Sequence, residues 1–280
     1  MRNKILGLLA ATAALLLGGC IDMTTVVHVA PDGSGTVEER VLMKKKVAEM
    51  MKSMSQAEGP EEGKAEESPL LDREELAKAA EAMGPGVKLV SAEPLETDKG
   101  VGYIARYAFE DINKLRLNQN PGQHAPSEDG PPEGKKDEPI RFVFEPGPEP
   151  VLIIQPPQKE ESGQEEGEAG TDAAAEAEEE EGEDSQMAMM MMQQMFDGLR
   201  IRIQVETETD ILKTNATFHD GRTVTVMSLD FGKLLADPAK LKAFADSGAD
   251  SVESAKKLMQ DIPGIEVDLN PEIRIEMAGK

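Results

Sequence analysis

The sequence predicts an α+β domain: an antiparallel sheet built from hairpins, with helices packed mainly on one face. Three observations predict it. Alternating apolar segments recur in pairs joined by short Gly-, Pro- and Asp-containing turns, segments with helical spacing fall between and after those pairs, and nothing alternates in the βαβ manner of a parallel nucleotide-binding sheet.

The elements follow in order. Residues 26–29 and 37–43 flank Pro31-Asp32-Gly33-Ser34-Gly35, strong turn chemistry for a hairpin over 24–43. Val47, Met50, Met51 and Met54 then stand at i, i+3, i+4 and i+7, one face of a helix. A second helix, 72–83, opens on Asp72 with Glu75 three residues later and closes at Gly84-Pro85. Segments 87–93 and 101–109 pair through Thr97-Asp98-Lys99-Gly100, 110–117 makes one or two helical turns, and 140–144 pairs with 151–155 through Pro146-Gly147-Pro148. A Met-rich helix spans 186–196. In the strand after it, 199–205, Ile201, Ile203 and Val205 alternate with Arg200, Arg202 and Gln204, so one face is apolar and the other wet. A further hairpin, 211–218 with 223–227, turns at His219-Asp220-Gly221-Arg222. Helices at 231–236, 238–246 and 250–261, a stop at Pro263-Gly264 and a closing strand 273–277 complete the reading.

Composition divides the chain. Residues 1–19 carry Arg2 and Lys4, an apolar run over 5–17, and small residues before Cys20, which are the parts of a secretory signal. That run is too short for a good membrane span, which needs about 20 apolar residues. Residues 20–157 form the first part of the domain and 186–280 the second. Between them 158–185 is an acidic linker whose residues 158–184 hold no apolar residue larger than alanine, too little to order the segment by burial. Pro- and Glu-rich insertions near 55–69 and 118–139 share its character, and loop closure entropy makes all three cheap. Calcium capture by the acidic run competes weakly with the linker reading, because an ordered site needs spaced ligands and a sharp turn.

Leu17-Gly18-Gly19-Cys20 resembles a lipobox. The resemblance implies acylation of Cys20, cleavage before it, and attachment to the outer side of a membrane through the acyl chains; whether that is an inner or an outer membrane stays open. Several chains anchor durably where one alone does not. Cys20 is the only cysteine, so the acylated chain has no thiol for a disulfide, a thiolate metal site or a nucleophile. Removing Arg2 and Lys4 leaves 28 basic residues against 54 acidic ones, which disfavours nucleic acid and anionic surfaces as partners.

Cys20 followed at once by the strand and turn of 26–35, and Thr214-Asn215-Ala216 leading through Asp220-Gly221-Arg222-Thr223-Val224-Thr225-Val226, resemble the LppM-like group of bacterial envelope lipoproteins. A helix, Pro263-Gly264 and a final strand also fit that group. The resemblance implies a membrane-tethered α+β domain and little about chemistry. Departures are Val226 in place of an aromatic residue, the absence of Trp, and the long acidic insertion.

Catalysis finds few players. His28, His124 and His219 fall in a strand, a Pro-rich loop and beside a turn, where solvent-facing inert side chains are expected. No His pair has metal spacing, no Ser lies in a nucleophile elbow, and no Gly-rich loop leads from strand to helix, so no enzyme, cofactor or metal site is expected. Methionine is the distinctive feature: 16 in all, with Met187, Met189, Met190, Met191, Met192 and Met195 close together. These are read first as a core helix whose flexible side chains fill gaps. A second reading joins them to Met50, Met51 and Met54 as a groove for lipid tails or client peptides, and a third takes the thioethers as copper(I) ligands.

Two functions therefore stand: a non-catalytic interaction or scaffold module with an envelope protein partner, and a carrier or holdase for hydrophobic ligands. A carrier predicts an apolar pocket of a few hundred cubic ångströms. An interaction module predicts a packed interior and an exposed apolar patch.

Overall fold

A computed structural model describes residues 21–45, 47–48, 71–118, 138–157, 198–235 and 262–279. The helices expected at 186–196, 238–246 and 250–261, the linker 158–185, the insertion at 55–69 and nearly all of those at 47–54 and 118–139 lie outside these residues. No helix of the described residues is long and apolar enough to cross a membrane.

In chain order the elements are β1 (Ile21–Val29), β2 (Gly35–Met43), α1 (Arg73–Met83), β3 (Lys88–Glu96), β4 (Val101–Phe109), a 3₁₀ turn (Ile112–Lys114), β5 (Arg116–Leu117), β6 (Ile140–Glu145), β7 (Val151–Gln155), β8 (Arg200–Thr207), β9 (Ile211–Thr214), β10 (His219–Asp220), β11 (Thr223–Asp230), α2 (Phe231–Leu235), β12 (Ile265–Val267) and β13 (Ile273–Met277). The larger sheet runs β10-β11-β8-β1-β2-β4-β3, with β12 on the outer edge of β11 beyond β10; the smaller runs β5-β6-β7-β13-β9. All pairings are antiparallel except β1 with β8, which is parallel from Asp22↔Arg200 to Val29↔Thr207.

This corrects the expected α+β class. Of the described residues 53% are strand and 13% helical, and two sheets, rather than helices on a sheet face, enclose the core. The physical reason lies in the alternation of both sheets. Val27, Val29, Val37, Tyr107 and Phe109 of the larger sheet and Phe142, Phe144, Leu152, Ile154, Ile273 and Ile275 of the smaller are all buried in one cluster. Two apolar sheet faces satisfy each other, at roughly 1.5–3 kcal/mol for each large side chain buried.

The first hairpin forms as its sequence predicts. Asp32 Oδ1 accepts from Ser34 N (3.1 Å) and Ser34 Oγ (2.6 Å), and Gly33 N donates to Ala30 O (2.9 Å). Gly33 has φ +83°, and a Cβ there would stand 2.8 Å from the Phe144 ring, so this turn is also where the smaller sheet rests on the larger. The turn carbonyl Gly33 O accepts from Ile112 N (3.0 Å), tying in the 3₁₀ turn.

Helix α1 matches its expected bounds. Asp72 caps it, its carboxylate accepting from Glu74 N (2.9 Å) and Glu75 N (3.2 Å), and Gly84 ends it at φ +136°. Leu76, Ala79, Ala80 and Met83 are its buried face, directed at β3 and β5. Those are edge strands of the two sheets, so α1 closes the side of the sandwich and does not lie on a sheet face. Asp72→Ala is expected to cost about 1 kcal/mol, read as a lower urea midpoint, whereas Asp72→Asn keeps the cap.

The hairpin expected over 211–227 is the second correction. Its first arm, β9, leaves for the smaller sheet and pairs with β13, and only β10 pairs with β11. Asn215 turns this corner: its Oδ1 accepts from Arg274 N (2.6 Å) and its Nδ2 donates to Glu272 O (2.9 Å). Asp268, almost fully buried, fastens the next step, accepting from Thr217 N (2.7 Å) and Asn270 N (3.0 Å). In place of one long edge strand, β10 and β12 share the outer edge of β11.

Candidate functional site

Cys20, Met50, Met51, Met54, Met187, Met189, Met190, Met191, Met192 and Met195 all lie outside the described residues, so the structure does not place them. His124 is outside them too. His28 stands on the outer face of β1, partly exposed, with Nδ1 3.5 Å from Glu206 Oε2, and His219 is exposed in β10. Among the described residues no three His, Cys, Asp or Glu side chains are grouped to hold a metal ion.

What the structure brings together is a polar cluster inside the core that was not expected. Strand alternation puts Val37, Glu39, Val41 and Met43 on the inner face of β2, and Tyr103, Ala105, Tyr107 and Phe109 on that of β4. Glu39 is 2% exposed, with Thr25 beside it on β1 and Ala105 beside it on β4. Those small neighbours leave room for its side chain. Tyr103 Oη donates to Glu39 Oε1 at 2.6 Å, a short bond of the charge-assisted kind. Tyr107 Oη is buried and makes no hydrogen bond.

Burial, and after it the Glu39 carboxylate, hold both tyrosine hydroxyls protonated well above the usual range. The two phenols nevertheless differ in what they contribute. Tyr103→Phe strips a buried carboxylate of its donor and is expected to cost about 2 kcal/mol. Tyr107→Phe removes a buried hydroxyl that has no partner and is expected to be neutral or mildly stabilising. Urea unfolding of both variants checks this; an equal loss in each would mean that Tyr107 Oη is bonded. The signal was present in the sequence: period-2 alternation puts Glu39 between Val37 and Val41 on one face, and both tyrosines of the chain fall two steps either side of Ala105.

Open depressions lie elsewhere. One of about 520 Å³ on the outer face is lined by Gln204, Thr217, Phe218, His219, Asp220 and Glu266. A smaller one of about 190 Å³ lies among Glu138, Pro139, Arg141, Gln155 and Pro157. The larger has mostly polar walls, whereas three prolines, Pro139, Pro156 and Pro157, make those of the smaller mixed. Among the described residues the large apolar side chains left exposed, Val90, Val143 and Leu212, stand on three different strands and form no continuous patch.

No protein-family model matches the chain, and no curated protein does. Among solved structures it aligns with the NMR structure of the folded domain of LppM from Mycobacterium tuberculosis, at 9% identity over 94% of this chain and 92% of that one, with a TM-score of 0.33. That is a weak resemblance of fold.

Proposed function

We propose that the chain is a non-catalytic lipoprotein of the cell envelope, anchored by acyl chains on Cys20 and acting as an interaction or scaffold module. The observation that carries this reading is the position of β1. Ile21, the residue after Cys20, is already in β1 and pairs with Met43, so a folded strand begins directly beside the proposed anchor residue. The ionisable groups that are buried together, Glu39 and its tyrosines, are packed between strands and open on no described cavity. The described depressions are open and shallow, which suits contact with another protein better than chemistry on a small substrate. The exposed apolar patch expected of such a module is not found among the described residues, so contact through sheet edges and loops is what this reading takes.

A second reading, a carrier for lipid tails or client peptides, is favoured by one feature. The strands of the larger sheet outrun those of the smaller, and Met43 and Ala48 are buried outside the shared core cluster. Metabolic labelling with an alkyne palmitate tests the anchor: label and membrane retention are expected in the full chain and lost in Cys20→Ala. Native mass spectrometry of residues 21–280, exported without the lipid and purified from envelope extract, separates the two functions. A stoichiometric protein partner supports the module, and a co-purifying lipid overturns it in favour of the carrier.

A further inference from the structure

We infer that the domain stands upright on the bilayer that holds its anchor, with the Ile21–Met43 end of the larger sheet against the headgroups and the turn at Pro31–Gly35 farthest away. This rests on the reading that Cys20 is acylated. Ile21 directly follows Cys20 and is already paired with Met43, so the chain has no spacer between the anchor and a strand near the middle of the larger sheet. A strand cannot bend away from its own ladder without breaking hydrogen bonds. The sheet's end is thereby held within about one residue, some 3–4 Å of chain, of the acylated thiol.

Charge runs the same way. The Ile21 end carries Lys44, Lys45, Lys99 and Lys233 beside the exposed Glu96 and Asp98, with Lys45 paired to Glu96 (2.9 Å). Arg200 is shared there between Asp22 (3.3 Å) and Asp230 (3.0 Å), so basic side chains slightly outnumber acidic ones among the described residues of this end. The opposite end exposes Asp32, Glu110, Glu208 and Asp210 along with Lys88, Lys114 and Arg222; Lys114 pairs with Asp111 and Arg222 with Glu206, so acidic side chains outnumber basic ones there. In a chain of net charge −24, the end with the lysines is the one an anionic leaflet tolerates, and the acidic end is the one it repels. The β4 strand spans the difference: Val101 pairs with Met43 at one end and Phe109 with Gly35 at the other, about 26 Å apart at 3.3 Å per residue.

The test uses the full acylated chain in vesicles of phosphatidylethanolamine and phosphatidylglycerol carrying a headgroup-linked energy-transfer acceptor. Lys99→Cys and Glu110→Cys place a thiol-reactive donor dye at the two ends of β4. Cys20 is blocked by its acyl group, and both replaced side chains are exposed. Strong transfer from residue 99 and weak transfer from residue 110 are expected. Equal transfer from both, or the reverse order, in chains that float with the vesicles overturns the orientation and leaves the anchor standing. Chains that fail to float overturn the anchor and the orientation with it.

Discussion

As the pH is raised, Tyr103 and Tyr107 are expected to ionise together, and only as the sheets come apart. The chain has two tyrosines and no tryptophan, so tyrosinate absorbance reports on this one cluster. Both hydroxyls have their pKa raised by burial and by Glu39. The sign follows from linkage. Below the unfolded tyrosine value of about 10 both states hold the proton, and the stability is fully present. Above it the unfolded chain gives up protons that the fold retains, so stability falls by about 1.4 kcal/mol per pH unit for each tyrosine. Two tyrosines exhaust the 5–15 kcal/mol typical of a domain within about two to five units. A single absorbance step, coincident with loss of the far-ultraviolet β signal, is the expected record. A smooth titration centred near pH 10, completed while the fold persists, would place the rings in contact with water.

Gly35→Ala should destabilise strongly where such a change in a strand ordinarily helps. Relieving the unfolded-chain entropy of a glycine usually stabilises by about 0.4–1 kcal/mol. At position 35 an added Cβ would collide with the carbonyl oxygen of His28 and stand 2.7 Å from the Phe109 ring. The first of these is backbone, held in the β1–β2 ladder at Val29↔Gly35, and cannot turn aside as a flexible side chain would. Relief requires the two strands to part where the smaller sheet rests on them. A loss of about 3 kcal/mol is expected, at the upper end of overpacking costs, measured as a fall in urea midpoint. An unchanged midpoint would mean that the end of this hairpin separates freely.

Local signals in the sequence carried most of the elements. Asp72 and Gly84 bounded α1, Pro31 to Gly35 bounded the first hairpin, and the alternation of Ile201, Ile203 and Val205 identified β8. Glu39 was missed although its period-2 position between Val37 and Val41 was legible, because an acidic residue in a strand is read as solvent-facing by default. What local pattern cannot reveal is the partner of each strand. Ile211 to Thr214 looked like the arm of a hairpin with β11, and the choice of β13 instead is made by Asn215, whose bonds go to Glu272 and Arg274, more than 55 residues away. The same blindness produced the α+β expectation: each strand shows one apolar face, and nothing in the strand says whether a helix or a second sheet will cover it. The anchor site and the methionines singled out for ligand or copper binding remain sequence features alone.

The parallel ladder between β1 and β8 sets a waiting time. β1 can pair with β2 as soon as the hairpin is made, but the residue opposite Asp22 on its other side is Arg200, 178 residues later. At the synthesis rates of about 5–20 residues per second, β1 presents an unpaired edge for on the order of 10–40 s before β8 exists to cover it. An open, regular strand edge invites pairing with the wrong chain, and His28, Thr24 and Asp22 on its outward face give that edge polar side chains during the interval. Closing the edge of β1 therefore waits on the arrival of β8, and a break in the chain between β7 and β8 should yield a fragment that aggregates through β1.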